Sequence, residues 1–265
     1  MKKRKFKLPL KIIILPVIIL LAISLLLGYI WEVLITSDFF AVKQVFVRNS
    51  EASFDYLKGR NIFKLDLNNE SQRALAKCAD CRKVRFLRIL PNCVIVDFLR
   101  RQPVALVKFY KIYSVDQDGV FFSPTGLPEE AGLPLIYGLE TKIFGPKPGV
   151  KYKRPELNLA LTLIKEFKLI RTLRPFTLKK IDVAKPESAK IFILLPGQPV
   201  NYIKSVAQPG WIGFEVYVGE GNIRQKLMIL GGLLIQAERE LMNIKYIDLR
   251  FKEPVIKLNK DNNVK

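Results

Sequence analysis

Cys78 and Cys81, in the stretch CADC, have a spacing that serves three kinds of chemistry. A Cys-x-x-C pair can cycle between dithiol and disulfide, supply half of a tetrahedral zinc site, or close a local staple. A thiol oxidoreductase carries the pair at the start of a helix, where free amides and the positive end of the dipole favour the thiolate. CADC instead follows NNESQRALAK, whose pattern predicts a helix that starts with Asn69 or Ser71 as cap and ends just before the pair. That is the negative end, offset only in part by Arg82 and Lys83. A zinc ion needs a fourth ligand beside Cys78, Cys81 and Cys93, and the chain has no histidine to supply one. The position therefore favours a local disulfide or two packed thiols over a redox centre or a metal site. Such a short loop lets a disulfide contribute at most about 2 kcal/mol in the chain-entropy view. The spacing leaves open whether Cys93 pairs with either of the others.

The lack of histidine also removes the side chain that most often moves protons near neutral pH. Neither a Walker sequence nor G-x-G-x-x-G occurs, and GEGN at 219–222 has the form of a turn before a helix. The expectation is a protein that is not an enzyme and uses no cofactor, metal ion or small-molecule substrate. A membrane-tethered thiol oxidoreductase working through Cys78 and Cys81 is the alternative.

What must position these residues follows from the rest of the chain. Its 265 residues are about half apolar, enough for two modest domains with real cores. The formal charge is +20, and Lys2, Lys3, Arg4, Lys5, Lys7 and Lys11 crowd six positive charges into residues 1–11 with no acid among them. A basic body suits an anionic neighbour, but runs such as RKVRFLR alternate with apolar residues as a strand does, so no nucleic-acid site is expected.

From Ile12 to Trp31, twenty residues run without a charge, and fourteen of them are Ile, Leu or Val. At ~1.5 Å per residue they span about 30 Å, the thickness of a bilayer core. A cleaved signal has a shorter apolar core and a small-residue cleavage site, and neither fits here. Residues 12–35 are thus expected to be an uncleaved anchor with its juxtamembrane segment. The basic tail, residues 1–11, is placed in the cytoplasm by the positive-inside rule, and the bulk of the chain lies outside.

Beyond the anchor, FAVKQVFVRNS predicts a strand with Val45 and Val47 on one face, and a short helical stretch near Phe54–Leu57 ends at Gly59. The helix before CADC, then VRFLRIL and VIVDFLRR around a Pro91-Asn92 turn, complete a β-α-α-β-β order over residues 36–103. Gln102-Pro103 marks a boundary. A second, mixed β-rich domain follows over 104–260, and 261–265 form a tail. Its elements are a hairpin turning at Asp118-Gly119, a helix opened by Pro155, and strands at TLKKIDV, KIFILL and FEVYVG. A longer helix then runs from Asn222 to about Asn243, with Gly231-Gly232 predicting close approach to the sheet. The strands YIDLRF and VIKL close the chain. Phe251 alternates with Ile247 and Leu249 as a core residue would, while Arg250 points the other way, either to a partner or to Asp248.

FAVKQVFV, GRNIFKLD, VRFLRILPNCVIVDFLRRQPVA, VDQDGVFF, VYVGEGNIRQKLMIL and YIDLRF, in this order behind one anchor, make the chain similar to the FtsQ/DivIB family of bacterial cell-division proteins. The resemblance implies an α+β fold: a transmembrane helix, a POTRA domain beside the membrane, then a β domain with two helices. It implies a non-catalytic scaffold in the cytoplasmic membrane at the division septum. Its partners would be FtsB and FtsL, with FtsK and proteins of the FtsW/FtsI type as further candidates. It places partner capture on Arg250, Phe251, Glu253 and the strand Val255, Ile256, Lys257 and Leu258, an edge that can accept a foreign strand. The chain departs from the family where a Glu-Arg-x-Pro pattern becomes Arg100-Arg101-Gln102-Pro103, in its short first helix, and in a long segment at 195–213.

Overall fold

The computed structural model describes residues 10–126, 128–185, 187–197, 213–219, 221–237 and 241–259. The chain divides into two compact units, Met1–Arg100 and Arg101–Lys265. Most of the long segment expected at 195–213, the start of the basic tail and the tail at 261–265 lie outside the described residues.

The first unit begins with α1 (Leu10–Thr36), which contains Pro16 in its early turns. Over Leu15–Thr36 it has a mean hydropathy of 2.5 and none of it is buried against protein. Twenty-two residues rise about 33 Å, so this helix is long and apolar enough to cross a bilayer. A turn of 3-10 helix at Asp38–Phe40 follows, capped by the Ser37 hydroxyl, which accepts from the Phe39 amide.

Strand β1 (Gln44–Arg48) turns its valines inward, and Asn49 takes the left-handed conformation that ends it. Helix α2 (Leu67–Lys77) starts earlier than the sequence pattern suggests. Asp66, in extended backbone geometry, caps it by accepting from the amides of Asn68 and Asn69, each at 3.1 Å. Ser71, one of the two expected caps, lies a turn inside the helix and donates its hydroxyl to the Val84 carbonyl. Strands β2 (Cys81–Ile89) and β3 (Cys93–Arg100) form an antiparallel pair, and β1 joins the far side of β3 in parallel, giving the order β1-β3-β2. A parallel pair needs a crossover, which the 3-10 turn at Asp55–Leu57, α2 and β2 provide. Val84, Phe86, Val94, Val96 and Phe98 pack beneath with Leu57, Ile62 and Ala74.

The second unit is built on one nine-stranded sheet. Strands β4 (Ala105–Lys108) and β5 (Ile112–Val115) pair antiparallel, and the short β6 (Phe121–Phe122) adds to β5. Asp116 shapes the β5–β6 turn by accepting from the amides of Asp118 and Val120, and Gly119 supplies its positive φ of 78°. Strand β7 (Leu135–Tyr137) lies parallel to β4 on the other side. Helix α3 (Pro155–Leu169) carries proline at its first turn, as the sequence predicts. Strands β8 (Thr177–Asp182), β9 (Ser188–Leu194) and β10 (Gly213–Gly219) continue the sheet, with Phe214, Val216 and Val218 buried.

Helix α4 (Ile223–Gln236), capped by Asn222, is shorter than expected: it ends at Gln236 rather than near Asn243. Gly231 does make a close approach, but to Thr172 rather than the sheet, since a Cβ there would collide with the threonine hydroxyl. Strand β11 (Ile244–Asp248) pairs in parallel with β10, and β12 (Val255–Leu258) closes the sheet against β11. The order is β12-β11-β10-β9-β8-β7-β4-β5-β6. Buried faces of α3 and α4 share one core with the strands, among them Leu163, Phe167, Leu227, Leu230, Ile191 and Ile247.

Candidate functional site

At the end of α2 the Cys78 amide donates to the Leu75 carbonyl, and Cys81 opens β2 with its own amide bonded to the Cys78 carbonyl. The two sulfurs are joined as a disulfide, with Cα atoms 5.3 Å apart. Cys81 is only 2% exposed, so an attacking thiolate has little access to its sulfur. No helix N-terminus lies at the pair to stabilise a thiolate; the carbonyl end of α2 does the opposite. Cys93, the first residue of β3, carries a free thiol. Among the described residues no group of three or more His, Cys, Asp or Glu side chains is placed to hold a metal.

The C-terminal margin of the sheet has a different character. Strand β12 aligns Ile256 with Ile247 and Val255 with Asp248, and all four of its residues are exposed. Ile256 and Leu258 therefore share the face that carries the core residues Ile247 and Ile244, yet they lie outside the buried core. Beyond β12 no further strand pairs among the described residues, which leaves one row of backbone amides and carbonyls unpaired.

The turn that delivers β12 is fixed by Asp248. The strand stops there because its carboxylate, 5% exposed, folds back on the next residues: Oδ1 accepts from the Arg250 amide at 3.0 Å. The Arg250 guanidinium adds a two-pronged pair, Nε to Oδ1 at 3.0 Å and Nη2 to Oδ2 at 2.6 Å. These hydrogen bonds hold the Asp248 carboxyl below the usual carboxylate range, against the opposing effect of burial. Leu249 is drawn inward as its amide donates to the Tyr217 carbonyl at 2.8 Å.

This turn corrects the alternation expected for YIDLRF. Phe251 lies beyond the end of β11 and is 62% exposed, so it is not a core residue. It lines a basin of about 220 Å³ with Gln225 and Ile229 of α4, Leu249 and Pro254. Arg250 makes the aspartate pair, the blander of its two expected roles, but its guanidinium also lies over the Tyr217 ring at 5.0 Å and 5.9 Å from that of Phe251. Glu253 sits exposed in the turn between Phe251 and β12. Lys257 lies over the Tyr246 ring at 5.7 Å, and Tyr246 meets Tyr217 edge-on at 5.6 Å.

The structure thus brings Arg250, Phe251, Val255, Ile256, Lys257 and Leu258 to one margin and adds residues that sequence reasoning missed. Tyr217 and Tyr246 form its aromatic floor, with burial as the largest influence holding the Tyr217 hydroxyl above its ordinary pKa. Their alternation with buried neighbours was visible in the sequence. Their meeting depends on the parallel β10–β11 register, which pairs Glu215 with Tyr246 across about thirty residues of chain, and no local pattern encodes that. Elsewhere in the unit, Arg101, which follows the position where the family's acid is missing, pairs with the buried Asp116 at 2.5 Å.

Comparisons with known proteins bear on this arrangement. The family model described as Cell division protein FtsQ/DivIB, C-terminal, matches residues 105–250, and so ends at Arg250, just before β12. Cell division protein FtsQ of Geotalea daltonii is 23% identical over 75% of this chain and 66% of its own length. That of a Geobacter species is 24% identical over 75% of this chain and 65% of its own length. That of Syntrophotalea carbinolica is 22% identical over 85% of this chain and 76% of its own. The chain spans just under two thirds of the length of the first two of these relatives.

Proposed function

The chain belongs to the FtsQ/DivIB family of cell-division proteins, and from that premise we propose that it is a non-catalytic division scaffold whose β12 margin captures a partner strand outside the cytoplasmic membrane. In this reading α1 crosses that membrane once at the division septum, the basic tail is cytoplasmic, and the first unit, with its β-helix-β-β order, is a POTRA domain. The partner is of the FtsB type. Through it, and through FtsL, FtsK and FtsW/FtsI-type proteins, the scaffold links the site of division to septal wall synthesis.

The observation that carries the proposal is that Val255–Leu258 is exposed along its whole length, with an outer edge that no described residue pairs. An incoming strand gains backbone hydrogen bonds along that edge, and exposed Ile256, Leu258 and Phe251 offer it apolar contact. Lys257 adds positive charge above the aromatic floor, which suits a partner segment bearing acidic side chains.

The test uses the full-length protein with an FtsB-type partner reconstituted in one membrane. Ile256→Asp combined with Leu258→Asp places two charges where a strand would dock, and capture should fall by more than about tenfold. The chain should keep its denaturation midpoint, because both positions are exposed. Unchanged capture by a folded double variant would remove β12 as the docking edge.

A further inference from the structure

The end of the first unit next to α1 carries a second exposed surface, basic and apolar together. Its position follows from topology. Strand β1 begins eight residues after α1 ends, and β3 runs parallel to it, so the β2–β3 turn at Leu90–Asn92 lies at the same end as the membrane helix. The amides of Lys43 and Gln44 both donate to the Asn92 carbonyl, which ties that turn to the chain just emerging from α1.

The loop GRNIFK is fixed to the same place. Asn61 donates its side-chain amide to the Leu34 carbonyl at 2.9 Å and to that of Ser37 at 3.3 Å, satisfying carbonyls at the end of α1. Trp31 and Phe63 meet with ring centroids 6.3 Å apart, and Phe40 packs on Phe63 at 5.1 Å. Arg88 secures the loop from behind, donating to the carbonyls of Ile62 and Leu65. The loop therefore lies within about one helical turn of the end of the apolar span, close to the depth of lipid headgroups, and the turn lies at the same end of the unit.

Arg60 and Lys64 line a basin of about 460 Å³ there with Asn61, Asn69 and Arg73. The acids in its wall are already engaged. Asp66 caps α2, and Glu70 accepts from the Tyr56 hydroxyl at 2.5 Å and lies 3.6 Å from Arg73. Lys64 has no carboxylate partner among the described residues, Arg60 lies over the Tyr56 ring, and Lys43 is exposed nearby. Asp55, in the turn before the loop, pairs with Lys58 at 2.5 Å, and Glu32 and Asp38 are further acids at the end of α1. Beside these charges, Phe39, Ile89 and Leu90 are 62%, 46% and 58% exposed, an arrangement that water alone does not favour.

We propose that this end of the first unit is a lipid-binding base: Arg60 and Lys64 hold the phosphate of an acidic phospholipid, while Phe39 and Leu90 enter the headgroup layer beside α1. The unit is thereby seated on the membrane instead of swinging from it, and its orientation toward partners is set by the lipid. The proposal rests on α1 spanning the bilayer.

Full-length protein in nanodiscs of phosphatidylcholine with and without phosphatidylglycerol tests it by hydrogen exchange, a readout local to the loop and the turn and so blind to the cytoplasmic basic tail. Each basic side chain at an anionic surface strengthens attachment roughly fivefold. Amides of residues 60–64 and of Leu90 and Asn92 should exchange about tenfold more slowly in discs with phosphatidylglycerol, and the difference should vanish in Arg60→Gln/Lys64→Gln and in high salt. Exchange across β2 and β3 should be unchanged in that variant, which shows that the unit still folds. Equal exchange in both discs overturns the proposal. So does equal slowing by inorganic phosphate added to detergent-solubilised protein, which would show a site for free phosphate. Release of the protein from membranes by alkaline carbonate would instead remove the spanning helix, and the proposal with it.

Discussion

The nine-stranded sheet has two edges, and the chain treats them in opposite ways. At β6, Phe121 and Phe122 are 0% and 1% exposed. The protein's own loop closes that edge: the Gly149 amide donates to the Phe121 carbonyl at 2.7 Å, Val120 bridges to Lys151, and Tyr152 stacks on the Phe121 ring at 5.0 Å. At β12, Val255–Leu258 is exposed throughout and no described segment lies beyond it. An open edge invites pairing with any passing strand, so the contrast between an edge the chain closes and one that no described segment covers is what the proposed capture at β12 rests on.

The difference should be largest in stability. Phe121→Ala removes a fully buried ring from the centre of an aromatic cluster with Phe109, Tyr113 and Tyr152, and should cost about 3–5 kcal/mol in denaturant unfolding. A cost below about 1 kcal/mol would mean that the β6 edge is not closed and the contrast with β12 is false. Tyr152→Ala is the milder form of the same experiment. It leaves Phe121 in place but removes the stacked ring and the hydroxyl that accepts from the Lys147 amide, for about 1–2 kcal/mol. Faster hydrogen exchange at the Phe121 and Gly149 amides should accompany it, turning the closed edge partly into an open one.

How much of this contrast was written in the sequence depends on the range of the interaction that creates it. Asp118-Gly119, Pro155 and the alternation of Phe214, Val216 and Val218 are local signals, and each element lies where they place it. For Phe251 alternation alone offered a core position beside the partner-facing one that the resemblance implied, because the pattern continues past the end of the strand. Asp248 bends the chain by capturing the Arg250 amide, and alternation carries no record of a side chain that bonds its own backbone. Asp66 was overlooked as the cap of α2 because Asn69 and Ser71 are equally good caps by type, and only the backbone geometry at Asp66 separates them. Strands β4 and β7 are four and three residues long and pair with each other in parallel across nearly thirty positions, so neither has a periodicity to read. The strand VIKL was legible as a strand, and its edge position came only from the family resemblance, because an edge is a property of the whole sheet order.

The open edge should also be the acid-sensitive one. Asp248 has a lower pKa in the folded chain than its ordinary 3.8, because Arg250 hydrogen-bonds its charged form. The unfolded chain then takes up the proton first as pH falls. The pair's contribution is complete above the ordinary carboxylate pKa and is lost as pH drops through the lower, folded value. The turn holding Phe251 and β12 should therefore loosen below about pH 4, and Asp248→Asn should show that looseness already at neutral pH. Exchange of the Leu249 and Arg250 amides follows it directly. An acid response identical in wild type and Asp248→Asn would remove this pair as the hinge of the β12 margin.

The smallest expected effect is the one that defines the comparison. Ile256→Ala deletes most of a large aliphatic side chain, a change that costs several kcal/mol in a core. At β12 the side chain is 38% exposed and flanked by exposed neighbours, so it has few contacts to lose, and stability should shift by no more than about 0.5 kcal/mol. The same variant should weaken capture of an FtsB-type partner, because a docked strand would bury what the free protein leaves in water. That pairing of a small stability change with a clear loss of capture is the signature of an edge kept for another chain. A stability loss of 2 kcal/mol or more, on the order of a buried-site truncation, would mean that Ile256 is already covered in the free protein. The edge would then be closed, as β6 is, and the proposal that β12 captures a partner would fall.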